Sequence, residues 1–350
     1  MSKKVLVALS GGIDSYVSAL ILKKKGFEVA GIVMSINTEN ASLDTVERVK
    51  NLCKEMKIKC YVIDVSEQFK RWVINKFISE YRRGRTPNPC VYCNKHIKFG
   101  LLLREVKKLK YDFLATGHYA KIEKTRYHGC VLKKSRDELK DQTYFLYAIR
   151  KKYLKHIMFP LGEFTKDEVV EIARRHGYPL DIKNQSQDIC FIPHKDYRSF
   201  LLKKIKNVKE GPIFHINGQF LGKHKGIIFY TVGQRQNIGI SYKEPLYVLS
   251  IDADKNAIIV GEKKHLKSQG LIAQNLNLLV DKIPPYIYAK IRYAHRPAKC
   301  KIDIRGNKAE LIFEEPQEAI TPGQAVVFYY KDIVLGGGII KKSLQIKNKQ

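Results

Sequence analysis

The feature that most constrains this chain lies near its start. An apolar run at 4–9 meets Ser10-Gly11-Gly12-Ile13-Asp14-Ser15, and the next ten residues place Val17, Leu20 and Ile21 on one helical face. A short apolar run bounded by turn residues is a buried strand, and a strand feeding directly into a helix begins a parallel βαβ unit. The rhythm continues with strands expected at 29–34, 60–65 and 112–116 and helices at 45–56, 69–80, 97–109 and 167–176. The first part of the chain therefore reads as α/β, a Rossmann-like parallel sheet. Such sheets take ligands in the crevice beyond the carboxyl ends of their strands.

After about residue 205 the texture changes. Gly211-Pro212, Asn217-Gly218, Gly222 and Gly226 punctuate short β-rich runs, with strands expected at 246–251 and 257–260. From about 270 the pattern is all-β, with strands at 289–293, 301–304, 309–313, 325–330 and 334–340. Three units are expected: an α/β catalytic domain over 1–204, a small central linking domain over 205–268, and a C-terminal β-barrel over 269–345.

The loop after the first strand has the chemistry of an anion cradle. Gly11 and Gly12 allow close backbone approach, and the following helix points its N–H groups and its positive dipole end at the loop. Ser10 and Ser15 add hydroxyl donors. Asp14 would repel a phosphate directly, so it holds Mg2+ or positions the loop. The Gly-Lys-Ser/Thr ending of a Walker loop is absent.

The chain carries 64 Lys plus Arg against 34 Asp plus Glu, a formal net charge of +30. Such a surplus suits a polyanionic partner, nucleic acid being the commonest, or a lysine-rich solvated surface. No apolar run approaches the ~20 residues that span a bilayer. Without a signal-peptide pattern at Lys3–Leu9, the expectation is a cytoplasmic protein with no membrane contact. Seven cysteines are present, an odd number that argues against a disulfide framework. Cys53, Cys60, Cys130 and Cys300 are read as packing.

Ser-Gly-Gly-x-Asp-Ser near an N-terminus resembles the loop of the N-type ATP pyrophosphatases (PP-loop superfamily), whose domain is an adenine nucleotide alpha hydrolase fold. Further motifs resemble those of the bacterial tRNA-uridine 2-sulfurtransferases. They are Gly84-Arg-Thr-Pro-Asn-Pro-Cys90-Val-Tyr-Cys93-Asn-Lys-His-Ile-Lys-Phe99, Ala115-Thr-Gly-His-Tyr-Ala120, Lys140-Asp-Gln-Thr-Tyr-Phe-Leu146 and Ser186-Gln-Asp-Ile-Cys190-Phe-Ile192. Ile291-Arg-Tyr-Ala-His-Arg-Pro297 and Pro322-Gly-Gln324 fit the same family.

The resemblance implies ATP-dependent 2-thiolation of the wobble uridine of tRNA. Adenylation turns the uridine C2 oxygen into a leaving group, pyrophosphate departs, and sulfur displaces AMP. It implies a persulfide on Cys190 with Cys93 as the second catalytic thiol, each needing a lowered pKa, which Lys95, His96 and Lys98 could supply. ATP contacts are implied at Ala8, Leu9, Ser10, Gly11, Gly12, Ile13, Asp14, Ser15, Met34 and Gly117. Target-base contacts are implied at Asn88, Pro89 and Cys90. Contacts around the base and with tRNA are implied at His118, Lys140, Asp141, Gln142, Arg292, Tyr293 and Gln324.

One departure stands out. The best-known members carry Asp-x-x-Cys where this chain has Cys90-Val91-Tyr92-Cys93. Cys90, Cys93 and Cys190 thus resemble the three-thiolate 4Fe–4S arrangement of other tRNA thiolases, in which an open iron could carry hydrosulfide. The sulfur donor would be a persulfide relay from a cysteine desulfurase on one route and free sulfide on the other. Two other readings compete: a PP-loop tRNA-modifying ATPase with an amine nucleophile, and a non-catalytic basic RNA-binding protein. Residues 127–136, polar and loop-like in composition, are read as an active-site flap that orders on tRNA binding.

Overall fold

The computed structural model describes residues 2–36, 42–179, 189–192 and 196–345. The expected βαβ rhythm produces a five-stranded parallel sheet. Its strands β1 (Lys4–Ala8), β2 (Glu28–Ser35), β3 (Lys59–Asp64), β4 (Phe113–Thr116) and β7 (Ile157–Met158) lie in the order β3-β2-β1-β4-β7. Val5, Leu6 and Val7 of β1 are fully buried because the strand is central and covered on both faces. Helices α1 (Ile13–Lys24) and α2 (Ser42–Glu55) follow β1 and β2. The chain runs outward through β1, β2 and β3, then returns to place β4 on the other side of β1. That reversal opens a crevice between the carboxyl ends of β1 and β4, where ligands bind in such sheets.

Two long helices flank this end of the sheet, one over 66–82 and one over 89–108. Each has a π-helical stretch inside it, Lys70–Ile74 and Cys93–Leu101. Such widened turns recur at functional sites because they turn side chains off the regular helical rows. The second begins at Cys93.

The residues after 205 form the two β units expected. Strands β8 (Gly211–His215), β9 (Phe220–His224), β10 (Tyr247–Asp252) and β11 (Ala257–Gly261) make a four-stranded sheet in the order β10-β11-β8-β9. Val248, Ile258 and Val260 pack with Phe69, Val73 and Phe77 of the 66–82 helix in one core, so this unit is fused to the α/β domain. The C-terminal strands β12 (Lys267–Leu278), β13 (Tyr286–Lys290), β14 (Ala298–Arg305), β15 (Lys308–Glu318), β16 (Ala325–Tyr330) and β17 (Ile333–Leu344) close on themselves through a β12–β17 pairing. The result is a six-stranded barrel.

The polar flap is corrected by the structure. Residues 121–133 form a hairpin of β5 (Lys121–Thr125) and β6 (Gly129–Lys133), and Val131 and Leu132 are fully buried. Its last residue pairs with Ile333, tying the hairpin to the barrel. The short apolar run Cys130-Val131-Leu132 carried the strand signal beneath a polar composition.

The barrel docks tightly on the α/β domain. A Cβ at Gly337 would lie 2.5 Å from the Val326 carbonyl oxygen and 2.6 Å from the Tyr147 ring. The Tyr144 hydroxyl donates to the Ala325 carbonyl at 2.9 Å, and Asn277 Nδ2 donates to the carbonyls of Tyr147 and Ile149 at 2.6 and 2.8 Å.

Candidate active site

The phosphate loop leaves β1 at Ala8 and enters α1 through Gly12. Leu9 is buried and its N–H donates to the Ile32 carbonyl at 2.9 Å, anchoring the loop to β2, while Met34 stands half-buried farther along that strand. Gly12 caps α1 without a side chain, leaving the first-turn amides with no side-chain acceptor. Gly11 takes φ +74°, a conformation glycine adopts without strain. Ser15 Oγ donates to the Gly12 carbonyl at 2.8 Å and accepts from the Ser10 N–H at 3.2 Å. The loop is thus pre-folded around a cluster of outward N–H groups.

Gly117, at the end of β4, presses against this loop. A Cβ there would lie 2.7 Å from the Asp14 carbonyl carbon and 2.8 Å from the Ser15 nitrogen. Asp14 accepts hydrogen bonds from Lys166 Nζ at 2.6 Å and the Tyr119 hydroxyl at 2.9 Å. Tyr178 donates its hydroxyl to the Gly11 carbonyl at 2.6 Å, and the Arg48 guanidinium lies over Gly11. Burial, then the Asp14 charge, pushes the Tyr119 pKa far up, so its hydroxyl stays a donor. Sequence reading missed Arg48, Tyr119, Lys166 and Tyr178. Lys166 carried a partial signal, since Thr165 and Glu168 form a capping box that starts the helix there. The other three converge only through tertiary contacts.

The residue after Gly117 connects the loop to the thiols. His118 lies against Thr116 Oγ1 through Nδ1 at 2.7 Å and against Lys98 Nζ through Nε2 at 3.4 Å. Burial, then the Lys98 charge, holds its pKa well below the usual histidine value, so the ring is neutral. A neutral ring accepting at Nε2 carries its proton on Nδ1 and donates it to Thr116.

Lys98 also faces the cysteines. Cys93 is pushed up to about 12, first by burial, and Lys98 counters this while Cys190 and Cys90 add to it. Cys90 and Cys190 are exposed residues, yet the protein around their thiols raises them too, and each feels Lys98. The expected lowered pKa values are therefore corrected: without substrate, burial outweighs Lys98 and all three are thiols. Lys95 and His96 do not serve as expected either. Burial first, then Arg150, lowers Lys95, and the His96 ring packs on Trp72 at 5.4 Å. Ser186, Gln187 and Asp188 of the Cys190 motif lie outside the described residues.

Cys90, Cys93 and Cys190 are mutual electrostatic neighbours. Among the described residues, however, no three His, Cys, Asp or Glu side chains converge on a common metal position. As placed, the three thiols do not form a cluster-holding set.

The residues implied to meet the base and the tRNA divide into two groups. Asn88 stands at the N-cap of the turn that carries Pro89 and Cys90, beside Tyr144. The stretch before it is clasped from two sides: the Thr86 N–H donates to the Pro322 carbonyl at 3.0 Å, Gln324 Nε2 donates to the Thr86 carbonyl at 2.9 Å, and Thr86 Oγ1 donates to Thr231 Oγ1 at 3.0 Å. Gln324 thus spends its amide donor holding the Cys90 loop to the barrel. Asp141 is buried and accepts from the Ser135 N–H at 2.9 Å and the Thr143 hydroxyl at 2.5 Å, while Gln142 Oε1 accepts from the Tyr119 N–H at 3.0 Å. Asp141, Gln142 and Gln324 each have polar atoms held by partners within the protein. Lys140 is half-exposed. Arg292 donates to the Glu318 carbonyl at 2.6 Å and leaves Nε buried without a partner. The Tyr293 ring lies 4.6 Å from that of Phe145 with 38% of its surface exposed, enough to stack on a base.

Three family models match in succession. One described as tRNA methyl transferase HUP domain covers residues 3–194, one described as tRNA methyl transferase PRC-barrel domain covers 198–262, and one described as aminomethyltransferase beta-barrel domain covers 268–340. The tRNA-specific 2-thiouridylase MnmA 1 of Syntrophus aciditrophicus (strain SB) is 46% identical over 99% of this chain and 95% of its own length. The chain belongs to the tRNA-specific 2-thiouridylase family. The tRNA-specific 2-thiouridylase MnmA of Clostridioides difficile (strain 630) is 42% identical over 98% of this chain and 99% of its own. That of Caldanaerobacter subterraneus subsp. tengcongensis is 43% identical over 99% and 100%. Thiouridylases are sulfurtransferases, so the family activity is tRNA thiolation, and the methyl-transferase wording of the domain descriptions does not carry over to the full-length relatives. Among the described residues no helix is long and apolar enough to cross a membrane.

Proposed function

We propose that this chain uses ATP to thiolate the C2 position of the wobble uridine of tRNA. The observation that carries the reading is the continuous path from the phosphate loop to the thiols, through Gly117, His118 and Lys98. ATP lies with its phosphates on the Gly11–Ser15 amides. The uridine C2 oxygen attacks the α-phosphate, and pyrophosphate leaves past Arg48 and Lys166. Asp14, whose Oδ1 accepts from Lys166 and Tyr119, would hold Mg2+ through its other oxygen, and the ion would neutralise phosphate charge.

Sulfur arrives as a Cys190 persulfide supplied by a cysteine desulfurase relay. The terminal sulfur attacks C2, the C2–O bond breaks and AMP departs. Cys93 then attacks the Cys190–sulfur bond, leaving the sulfur on the base and a Cys93–Cys190 disulfide that a thiol reductant reopens. Lys98 favours each thiolate. Tyr293, Arg292 and Lys140 hold the tRNA, with the +30 surplus drawing it in. A tRNA substrate also suits a cytoplasmic protein.

The test incubates the protein with ATP, unmodified tRNA and a persulfide donor, and follows AMP and 2-thiouridine. One AMP per 2-thiouridine, lost in Cys93→Ser and Cys190→Ser, is expected. AMP without thiolation would instead favour an amine nucleophile, and tRNA binding without AMP a non-catalytic protein. Anaerobic purification decides the sulfur route: stoichiometric iron and sulfide, lost in Cys90→Ala, would replace the persulfide by a 4Fe–4S cluster fed with free sulfide.

A further inference from the structure

Two cysteines read from sequence as packing meet each other. Cys53 lies in the last turn of α2, and Cys60 is the second residue of β3. A Cβ at Gly31 would lie 2.7 Å from the Cys53 sulfur, so this sulfur occupies the space above Gly31. Gly31 pairs directly with Cys60 across the parallel β2–β3 ladder. Directly paired residues project from the same face with Cβ positions about 5 Å apart. The Cys53 sulfur therefore lies beside the Cys60 side chain, and this neighbour adds to the burial that pushes the Cys53 thiol up to about 12. Both belong to the core on this face of the sheet, where Cys53 is fully covered and Cys60 is partly open.

The pair reaches the phosphate loop through one helix. Arg48, whose guanidinium overlies Gly11, is on α2 five residues before Cys53. An S–S bond is about 2.05 Å long, shorter than any non-bonded contact between two sulfurs. Closing it draws the end of α2 toward β3 and shifts Arg48 with it.

We infer that Cys53 and Cys60 form a second dithiol, separate from the catalytic thiols, whose oxidation to a disulfide draws α2 toward β3 and loosens the phosphate loop. The half-open Cys60 reacts first: its thiolate attacks a small-molecule disulfide such as oxidised glutathione, forming a mixed disulfide and releasing one thiol. Cys53 then attacks the Cys60 sulfur, forming the Cys53–Cys60 bond and releasing the second thiol. Two electrons pass to the glutathione, and the two protons end on its thiols. Any thiol reductant reverses the exchange.

The inference rests on the ATP reading of the loop, so the test carries a readout that needs no nucleotide. In a Cys93→Ser/Cys190→Ser background the protein is titrated with oxidised glutathione. Peptide mapping without reduction looks for a 53–60 crosslink, hydrogen exchange follows residues 9–16, and a nucleotide titration measures ATP affinity. The expected result is a crosslink, faster exchange in the loop by at least threefold, and ATP binding at least threefold weaker. All three are reversed by dithiothreitol and are absent in Cys53→Ala and Cys60→Ala. No crosslink, while Cys60 is captured as a mixed disulfide, overturns the dithiol. A full crosslink with unchanged loop exchange overturns the link to α2. Failure of the reduced protein to bind ATP would count against the ATP reading alone, since crosslink and exchange still decide the inference.

Discussion

Replacing Gly117 by alanine tests the contact on which the site is built. The added methyl would stand 2.7 Å from the Asp14 carbonyl carbon, 2.8 Å from the Ser15 nitrogen and 3.0 Å from the Asp14 carbonyl oxygen. All three are backbone atoms, so no rotamer change relieves them. Carbon contacts are most favourable near 3.5–4.0 Å, so the loop must retreat by roughly 0.7 Å. Overpacking of this kind costs about 1–3 kcal/mol of stability. The same retreat moves the first-turn amides of α1 from the phosphates, and a hydrogen bond to a charged group is worth about 1.5–3 kcal/mol. Losing one such bond weakens ATP binding by roughly 12- to 150-fold. Isothermal titration with ATP, read beside thermal unfolding, separates this from general damage. Gly26→Ala is the control: it carries φ +81° with nothing within 4 Å, so it should lower stability and leave ATP affinity alone. Wild-type ATP affinity in Gly117→Ala would refute the placement of β4 against the loop.

Further outcomes follow from the same geometry. Lys98→Met removes the cation that offsets burial at the thiols, so iodoacetamide labelling of Cys93 at pH 8 should slow roughly threefold or more, while the His118 pKa moves back up toward its ordinary value, as read by proton NMR. Gln324→Ala removes the donor to the Thr86 carbonyl and should cost about 1 kcal/mol of stability while lowering kcat more than it weakens tRNA binding. A large rise in tRNA Kd with unchanged kcat would instead make Gln324 a direct tRNA contact. Cys300 is fully buried and pushed up to about 12, first by burial and then by Glu314. Its raised folded-state pKa gives a contribution fully present below pH 9 and lost as pH climbs toward 12, at most about 1.4 kcal/mol per pH unit. Cys300→Ala should therefore unfold less steeply with alkali than the parent in pH-dependent melting.

The sequence by itself determined the parts that depend on neighbours along the chain. The phosphate loop was legible because strand, glycines and helix are contiguous, and the parallel sheet because its hydrophobic periods are local. The barrel was legible as alternation with turn residues, and the motifs around Cys93 and Cys190 pointed to a thiolase. Only the tertiary structure decided what these residues touch. The family resemblance implies tRNA contacts at Asp141 and Gln324, and only the fold shows that Asp141 accepts from Ser135 and Thr143 and that Gln324 donates to Thr86. Lys166 and Tyr178 from the two ends of one helical segment, with Tyr119 and Arg48 from two others, gather at Asp14 and Gly11, which no local pattern records. Burial, not the basic residues beside Cys93 in sequence, sets the thiol pKa values, because desolvation depends on how much protein surrounds a sulfur. The Cys53–Cys60 pair followed the same rule: seven residues apart on a helix and a strand, they meet only because Gly31 leaves room above β2.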